Sequence, residues 1–178
     1  KALAYQLYEN NGVLKREQVS EYLKILGQNE RKILREIGVK FGRYHIFLYQ
    51  LIKPESVSLR TLLWKNFHQK YFNLKPPTFG LNFFDDKESK NKNFMLLCGF
   101  EKFDTLFVRI DILERLFMLI INSSNSKENK EIKIIPEMLN LLGCSKDNFK
   151  KLLHKMGYKI FDKGENTFFK YNPIKKFK

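Results

Sequence analysis

From Pro136 to Tyr171 the spacing of apolar residues changes period twice, and that change limits the folds open to the chain more than any other feature. Pro136-Glu137 opens a helix running through Leu142; proline fits the first helical position because the N–H it lacks would have no partner there. Gly143-Cys144-Ser145 turns the chain, and Ser145 is placed to cap a second helix. In that helix Phe149, Leu152, Leu153 and Met156 fall at i, i+3, i+4 and i+7, one stripe of a 3.6-residue period. Gly157 closes it. Tyr158-Lys159-Ile160-Phe161 and Thr167-Phe168-Phe169-Lys170-Tyr171 then flank Asp162-Lys163-Gly164-Glu165-Asn166, which reads as a β-hairpin. Upstream come a strand over 105–110, a helix capped by Asp111 with Leu113, Leu116, Phe117 and Ile120 inward, and a short strand at Lys133-Ile134-Ile135. Helix, short strand, helix, turn, helix, hairpin is the order of a winged helix-turn-helix.

The first half reads as helices. One is expected over Ala2–Tyr8, ended by Asn10-Asn11-Gly12, and one over Glu17–Leu26 with Val19, Tyr22, Leu23 and Leu26 on a single face. A third runs over 29–37 with Ile33, Leu34 and Ile37 inward and Gly38 at its C-terminal cap. After Pro54, Leu59–Phe67 gives a fourth with Leu59, Leu62, Leu63 and Phe67 as the apolar side. Between Tyr71 and Asn93 the pattern dissolves into Pro76-Pro77, Gly80 and a charged run from Asp85 to Lys92. The expected fold is mainly α (α+β): a helical accessory region at 1–80, a linker at 81–93, and a winged-helix-like domain with a C-terminal hairpin and basic tail at 94–178. No internal repeat or heptad pattern stands out.

With 178 residues, 43% hydrophobic and 15% aromatic, the chain has enough apolar surface for a core. No run approaches the roughly 18 apolar residues of a membrane span, so no membrane partner is expected. The start at Lys1, without Met, reads as a piece cut from a longer protein. Two distant cysteines, Cys98 and Cys144, give no disulfide framework and fit a reducing cytoplasm. His45, His68 and His154 are isolated and no C-x-x-C pair occurs, so neither metal nor cofactor is expected here. Cys144 lies beside lysines, but a small residue packed between two helices is its plainer reading. Gly38-Val39-Lys40-Phe41-Gly42 lacks the strand-loop-helix setting of a phosphate loop, and no catalytic residue is assigned.

Charge points to a polyanion. The net charge is +14, and from Gly143 onward ten lysines face three acidic residues. Lys146, Lys150, Lys151 and Lys155 stand opposite the Phe149 stripe, where a recognition helix meets a phosphate backbone; Lys159, Lys163 and Lys170 add cations on the hairpin. Arg31, Lys32, Arg35, Lys40 and Arg43 crowd around Gly38 and Gly42, either as a phosphate track or as ion-pair partners for another domain. Tyr44, Phe47 and Trp64 have faces on which bases stack, although aromatic residues at such spacing belong more often to a core.

Three blocks carry a family resemblance. The first is Leu34-Arg35-Glu36-Ile37-Gly38-Val39-Lys40-Phe41-Gly42-Arg43-Tyr44-His45-Ile46-Phe47 with Lys53-Pro54 and Leu59-Arg60-Thr61-Leu62-Leu63-Trp64. The second is Gly99-Phe100 followed by Val108-Arg109-Ile110-Asp111-Ile112-Leu113-Glu114-Arg115-Leu116. The third is Pro136-Glu137-Met138 through Leu142-Gly143-Cys144-Ser145, Phe149, Leu152 and Gly157-Tyr158. Their order resembles the C-terminal region of alphaproteobacterial DExH-box helicases related to the mitochondrial degradosome RNA helicase. The resemblance implies a segment lying after two RecA-like motor domains, in a protein that unwinds RNA or an RNA-containing duplex with ATP. ATP and Mg belong in that picture to the motor domains, whose motifs these residues lack, and RNA or single-stranded nucleic acid is the implied partner. The competing reading is a free-standing winged-helix module that binds DNA or another protein.

Overall fold

Three short strands interrupt the N-terminal region in the computed structural model, which describes residues 1–87, 91–124 and 131–171. The chain divides into two units, one formed by Lys1–Leu81 with Lys90–Glu101, the other by Asn82–Ser89 with Lys102–Lys178. The first runs α1 (Ala2–Glu9), β1 (Val13–Lys15), a 3-10 turn at Arg16–Val19, α2 (Ser20–Ile25), α3 (Gln28–Glu36), β2 (Val39–Phe41), β3 (His45–Leu48), α4 (Pro54–Phe67) and α5 (Lys92–Leu97). β3 lies between β1 and β2 and is antiparallel to both. Leu3, Leu7, Leu14, Val19, Val39 and Ile46 build the core beneath this sheet. The helical region expected over 1–80 is therefore corrected to a mixed one. Strands of three or four residues are too short to show a two-residue alternation against the helical periods on either side.

α4 is a second correction. Leu59, Leu62, Leu63 and Phe67, expected inward, are 50% to 85% exposed. The buried side carries Val57, Arg60 and Thr61 instead, and continues at Trp64, which keeps the same i, i+3, i+4, i+7 spacing. Trp64 stacks on His68 at 4.4 Å between ring centroids, on Tyr71 at 5.3 Å and against Phe94 of α5 at 5.6 Å. A helix presents one stripe to a given neighbour, and here the stripe with the largest aromatic ring meets the neighbouring elements.

The second unit takes in β4 (Phe83–Asp85) and β6 (Leu106–Arg109), and the chain passes into it within β5 (Phe100–Phe103); β6 lies between β4 and β5. The stretch 81–93, expected as a linker, thus holds a strand paired from Phe83↔Val108 to Asp85↔Leu106 and the first two residues of α5, Lys92 and Asn93. α6 (Ile110–Ser124), β7 (Ile132–Lys133), α7 (Pro136–Leu142), α8 (Lys146–Lys155), β8 (Tyr158–Lys163) and β9 (Asn166–Tyr171) follow. The Asp111 carboxylate accepts the Ile112 N–H at 3.0 Å and two Arg109 guanidinium N–H groups at 2.7 and 3.0 Å, fixing the start of α6. β9 lies between β7 and β8, and the hairpin is tighter than its sequence promised: pairing extends to Lys163↔Asn166, leaving Gly164-Glu165 as a two-residue turn. The tail at 172–178 and residues 125–130 of the polar loop lie outside the described residues. Among the described residues no helix is long and apolar enough to cross a membrane.

The fold is mixed α+β, and its element order recurs. α1-β1-α2-α3-β2-β3 and α6-β7-α7-α8-β8-β9 share one sequence of elements, and in both sheets the last strand lies between the other two. The register can be set on one glycine in each. Gly38 (φ +93°) and Gly157 (φ +87°) end α3 and α8 in the left-handed region that favours glycine. Around both, the same bonds close the helix: Ile37 N–H to Ile33 O and Gly38 N–H to Arg35 O, against Met156 N–H to Leu152 O and Gly157 N–H to His154 O. A buried apolar residue, an exposed lysine and a half-buried apolar residue follow each glycine. Counting from the glycines, Glu30 corresponds to Phe149, Ile33 to Leu152, Lys32 to Lys151 and Lys40 to Lys159.

The copies differ where Glu30 replaces Phe149. Phe149, Leu152 and Leu153 are fully buried, whereas Ile33 and Ile37, expected inward, are 60% and 58% exposed. α3 borders a groove of about 610 Å³ lined by Glu30 together with Leu3, Tyr22, Ile25, Leu26, Ile33 and Leu34. Phe149→Ala should cost roughly 3–5 kcal/mol, because a fully buried ring is removed from a tightly packed site. Leu62→Ser, on the exposed stripe of α4, should shift stability by less than about 0.5 kcal/mol. Urea denaturation followed by circular dichroism checks both, and the opposite ranking contradicts the burial described here.

Candidate nucleic-acid interface

α8 is rolled into place by its own ends and its apolar stripe. The Ser145 hydroxyl accepts the Asn148 N–H at 3.3 Å, capping the helix as its sequence predicted. Phe149 meets Phe169 of β9 edge to face at 6.5 Å. With that side sealed, Lys146, Lys151 and Lys155 are exposed and Lys150 is half-buried. Lys159, Lys163 and Lys170 are exposed on the hairpin.

Three of these cations are already paired. Lys150 lies 3.5 Å from Asp162, Lys155 2.8 Å from Asp104, and Lys163 2.6 Å from Glu131. Asp162 also accepts the Thr167 hydroxyl at 2.6 Å, and that bond first, then Lys150 and Lys146, holds its carboxyl below the usual carboxylate range. Lys155 does the same for Asp104. Lys146, Lys151 and Lys159 have no ion-pair partner among the described residues. Exposed pairs of this kind hold their partners loosely, so phosphate can compete for the lysines.

The arginine-rich set lies in the first unit, on α3 and the hairpin after it. Arg31 is structural: its guanidinium donates to Leu26 O at 3.1 Å and Leu23 O at 2.7 Å, satisfying carbonyls at the end of α2. Arg35 lies over the Phe41 ring at 5.6 Å. Lys32, Lys40 and Arg43 are exposed. The turn carrying Arg43 is held by Arg16, whose guanidinium donates to Gly42 O at 2.7 Å and whose backbone N–H donates to Tyr44 O at 2.8 Å. Of the aromatic candidates, Phe47 is 3% exposed and belongs to the core, and Trp64 is engaged in the stack on α4. Cys144 is half-buried, and burial pushes its thiol up to about 11, away from the thiolate a nucleophile requires. No group of three metal-ligating side chains occurs among the described residues.

Sequence reasoning missed a buried charge cluster. The Glu101 carboxylate receives Lys15 Nζ at 2.7 Å on one oxygen and is 2.8 Å from His45 Nε2 on the other. His45 and Glu101 are 1% and 7% exposed, so no substrate reaches them and their work is structural. No local pattern reveals the cluster, because Glu101 lies 86 residues from Lys15 and 56 from His45. Arg60 was also passed over. It is 7% exposed and donates to Leu51 O at 2.6 Å, and burial lowers its guanidinium to about 10. Its remaining nitrogens, Nε and one Nη, have no partner among the described residues, which nothing in the structure explains.

Compared with known protein families, with curated proteins and with solved structures, the chain matches none.

Glu101 sets a pH response. Burial raises its carboxyl, but the bonds and charges of His45 and Lys15 outweigh burial, and the net position is below the ordinary value. A carboxyl lowered by folding stabilises the protein above its unfolded value of about 4.3, and that contribution is lost as pH falls through the folded value. Trp64, the one tryptophan, reports the first unit. Its fluorescence should show Glu101→Gln destabilised by about 2–4 kcal/mol at pH 7, since Lys15 and His45 lose their shared acceptor. The variant should also respond less than the parent to acid below about pH 4.5. Equal stability at pH 7, or an unchanged acid response, contradicts this role.

Proposed function

We propose that this chain is the C-terminal accessory, nucleic-acid-binding region of a cytoplasmic ATP-dependent RNA or DNA helicase, and that its two repeated units are winged helices. The motor domains, with their ATP and Mg, would lie upstream in the same polypeptide. One observation carries the binding part: α8 buries Phe149, Leu152 and Leu153 completely and turns Lys146 and Lys151 to solvent, with Lys159 beside them in sequence on the hairpin. A helix so placed meets a phosphate backbone through charge and leaves few side chains to read bases, so the binding is weak in sequence preference. The helicase part rests on the resemblance of the three sequence blocks.

A second reading, a free-standing winged-helix module that binds DNA or another protein, draws on α4. Its exposed Leu59, Leu62, Leu63 and Phe67 form an apolar stripe larger than isolated surface residues explain. In the helicase reading the same stripe packs against the motor. The reading frame upstream of Lys1 separates the two. A G-x-x-x-x-G-K-[ST] loop and a DExH box there support the helicase, and a start codon immediately before Lys1 overturns it.

Titration of labelled RNA and single-stranded DNA tests the binding. Three phosphate contacts to a single strand lose about 20-fold in affinity between about 50 and 200 mM salt. Changing Lys146, Lys151 and Lys159 together to Glu should abolish most of that affinity while each exposed substitution moves stability by less than about 0.5 kcal/mol. Affinity that ignores salt, or survives the triple change, contradicts the α8 surface.

A further inference from the structure

The repeat places the same two lysines in both copies. In both copies the lysine six residues before the helix-ending glycine and the lysine two residues after it are exposed: Lys32 and Lys40 around Gly38, Lys151 and Lys159 around Gly157. None of the four has an ion-pair partner among the described residues. The position seven before the glycine is cationic in both copies and is used internally in both, Arg31 on the carbonyls of α2 and Lys150 on Asp162. One cation of each copy thus has a partner within its own repeat, tightly for Arg31 and loosely for Lys150, and the same two lysines stay open to solvent. β2 and β8 repeat this placement, with a buried Val39 or Tyr158 followed by the outward lysine.

We propose that Lys32 of α3 and Lys40 of β2, with Arg35 alongside, form a second contact surface for the sugar-phosphate backbone of nucleic acid, equivalent to that of Lys151 and Lys159. The inference rests on the α8 reading and extends it from one surface to two. The first unit's surface is the weaker one. α3 carries Glu30 and Glu36, and Glu36 stands at the register of Lys155. Its contribution is therefore a smaller share of affinity and salt dependence.

The experiment uses the full chain and a labelled 20-nucleotide RNA, with a DNA of the same sequence as a second arm. Lys32→Glu/Lys40→Glu, Lys151→Glu/Lys159→Glu, the combined quadruple variant and a control, Lys24→Glu/Lys75→Glu, which makes the same change in net charge on other exposed lysines, are compared across salt. We expect the first pair to lower affinity about tenfold at about 50 mM salt and to flatten the salt slope by about 1.5–2, with a further loss in the quadruple variant. Loss on Lys151→Glu/Lys159→Glu with parental binding by Lys32→Glu/Lys40→Glu overturns the second surface and leaves α8 standing. Loss on Lys32→Glu/Lys40→Glu alone supports the first unit's surface and removes α8. Parental binding by every variant, or an equal loss in the control, overturns both. Lys32→Gln/Lys40→Gln, with thermal unfolding of each protein, separates lost contact from lost fold: a neutral pair that unfolds as the parent does and still loses half or more of the slope change supports the surface, and one that keeps parental binding overturns it.

Discussion

Glu101 holds the first unit in register. Lys15 and His45 face each other across the β1–β3 ladder, and the two oxygens of one carboxylate reach both. A slip of one residue between these strands would turn Lys15 to the opposite face and leave Glu101 buried without its cation. Short strands specify their pairing weakly, since β1 has three residues and β3 four. Replacing a whole buried ion pair with apolar groups costs little, but removing one member leaves a buried charge without its partner, so arrangements that separate Glu101 from Lys15 are penalised. The next residue, Arg16, extends the same constraint to the β2–β3 turn through Gly42 and Tyr44. The placement of Lys40 and Arg43 on that hairpin depends on a carboxylate that arrives from 86 residues downstream of Lys15.

The two copies show how one supersecondary unit keeps its geometry while its surface diverges. The features retained are those the backbone demands: a glycine at positive φ to end the second helix of the pair, and a buried residue immediately after it. The features that differ are packing and charge. Phe149 seals α8 against Phe169, whereas Glu30 lines an open apolar groove beside α3. α8 is lysine-rich where α3 alternates acidic and basic residues. The second copy therefore carries the denser positive charge of the two.

How much of this was legible in the sequence depended on whether the deciding interaction was local. The α7-turn-α8-hairpin stretch was readable because Ser145, Gly157 and the Phe149 stripe act within a few residues of one another. α4 was misread because both Leu59, Leu62, Leu63, Phe67 and Val57, Arg60, Thr61, Trp64 keep helical spacing, and periodicity cannot tell which stripe meets a neighbour. The rings of Tyr71 and Phe94 decide it, and both lie outside the helix. The repeat escaped notice because the aligned helices differ in length and in their core residue, leaving only Ile37-Gly38-Val39-Lys40-Phe41 against Met156-Gly157-Tyr158-Lys159-Ile160 as a written trace. At the candidate interface the cationic residue types were visible, but their division was not. Only the folded chain separates Arg31, committed to α2, from the exposed Lys32 beside it.

The proposal assigns each repeat its own contact with nucleic acid, through Lys32 and Lys40 in one and Lys151 and Lys159 in the other. Lysine acetylation read by mass spectrometry, with and without a bound 20-nucleotide RNA, tests it on the unaltered protein. Acetylation should slow at Lys32, Lys40, Lys146, Lys151 and Lys159, with Lys24 and Lys75 unchanged. Protection spread evenly over all exposed lysines, or confined to residues outside both repeats, would contradict it.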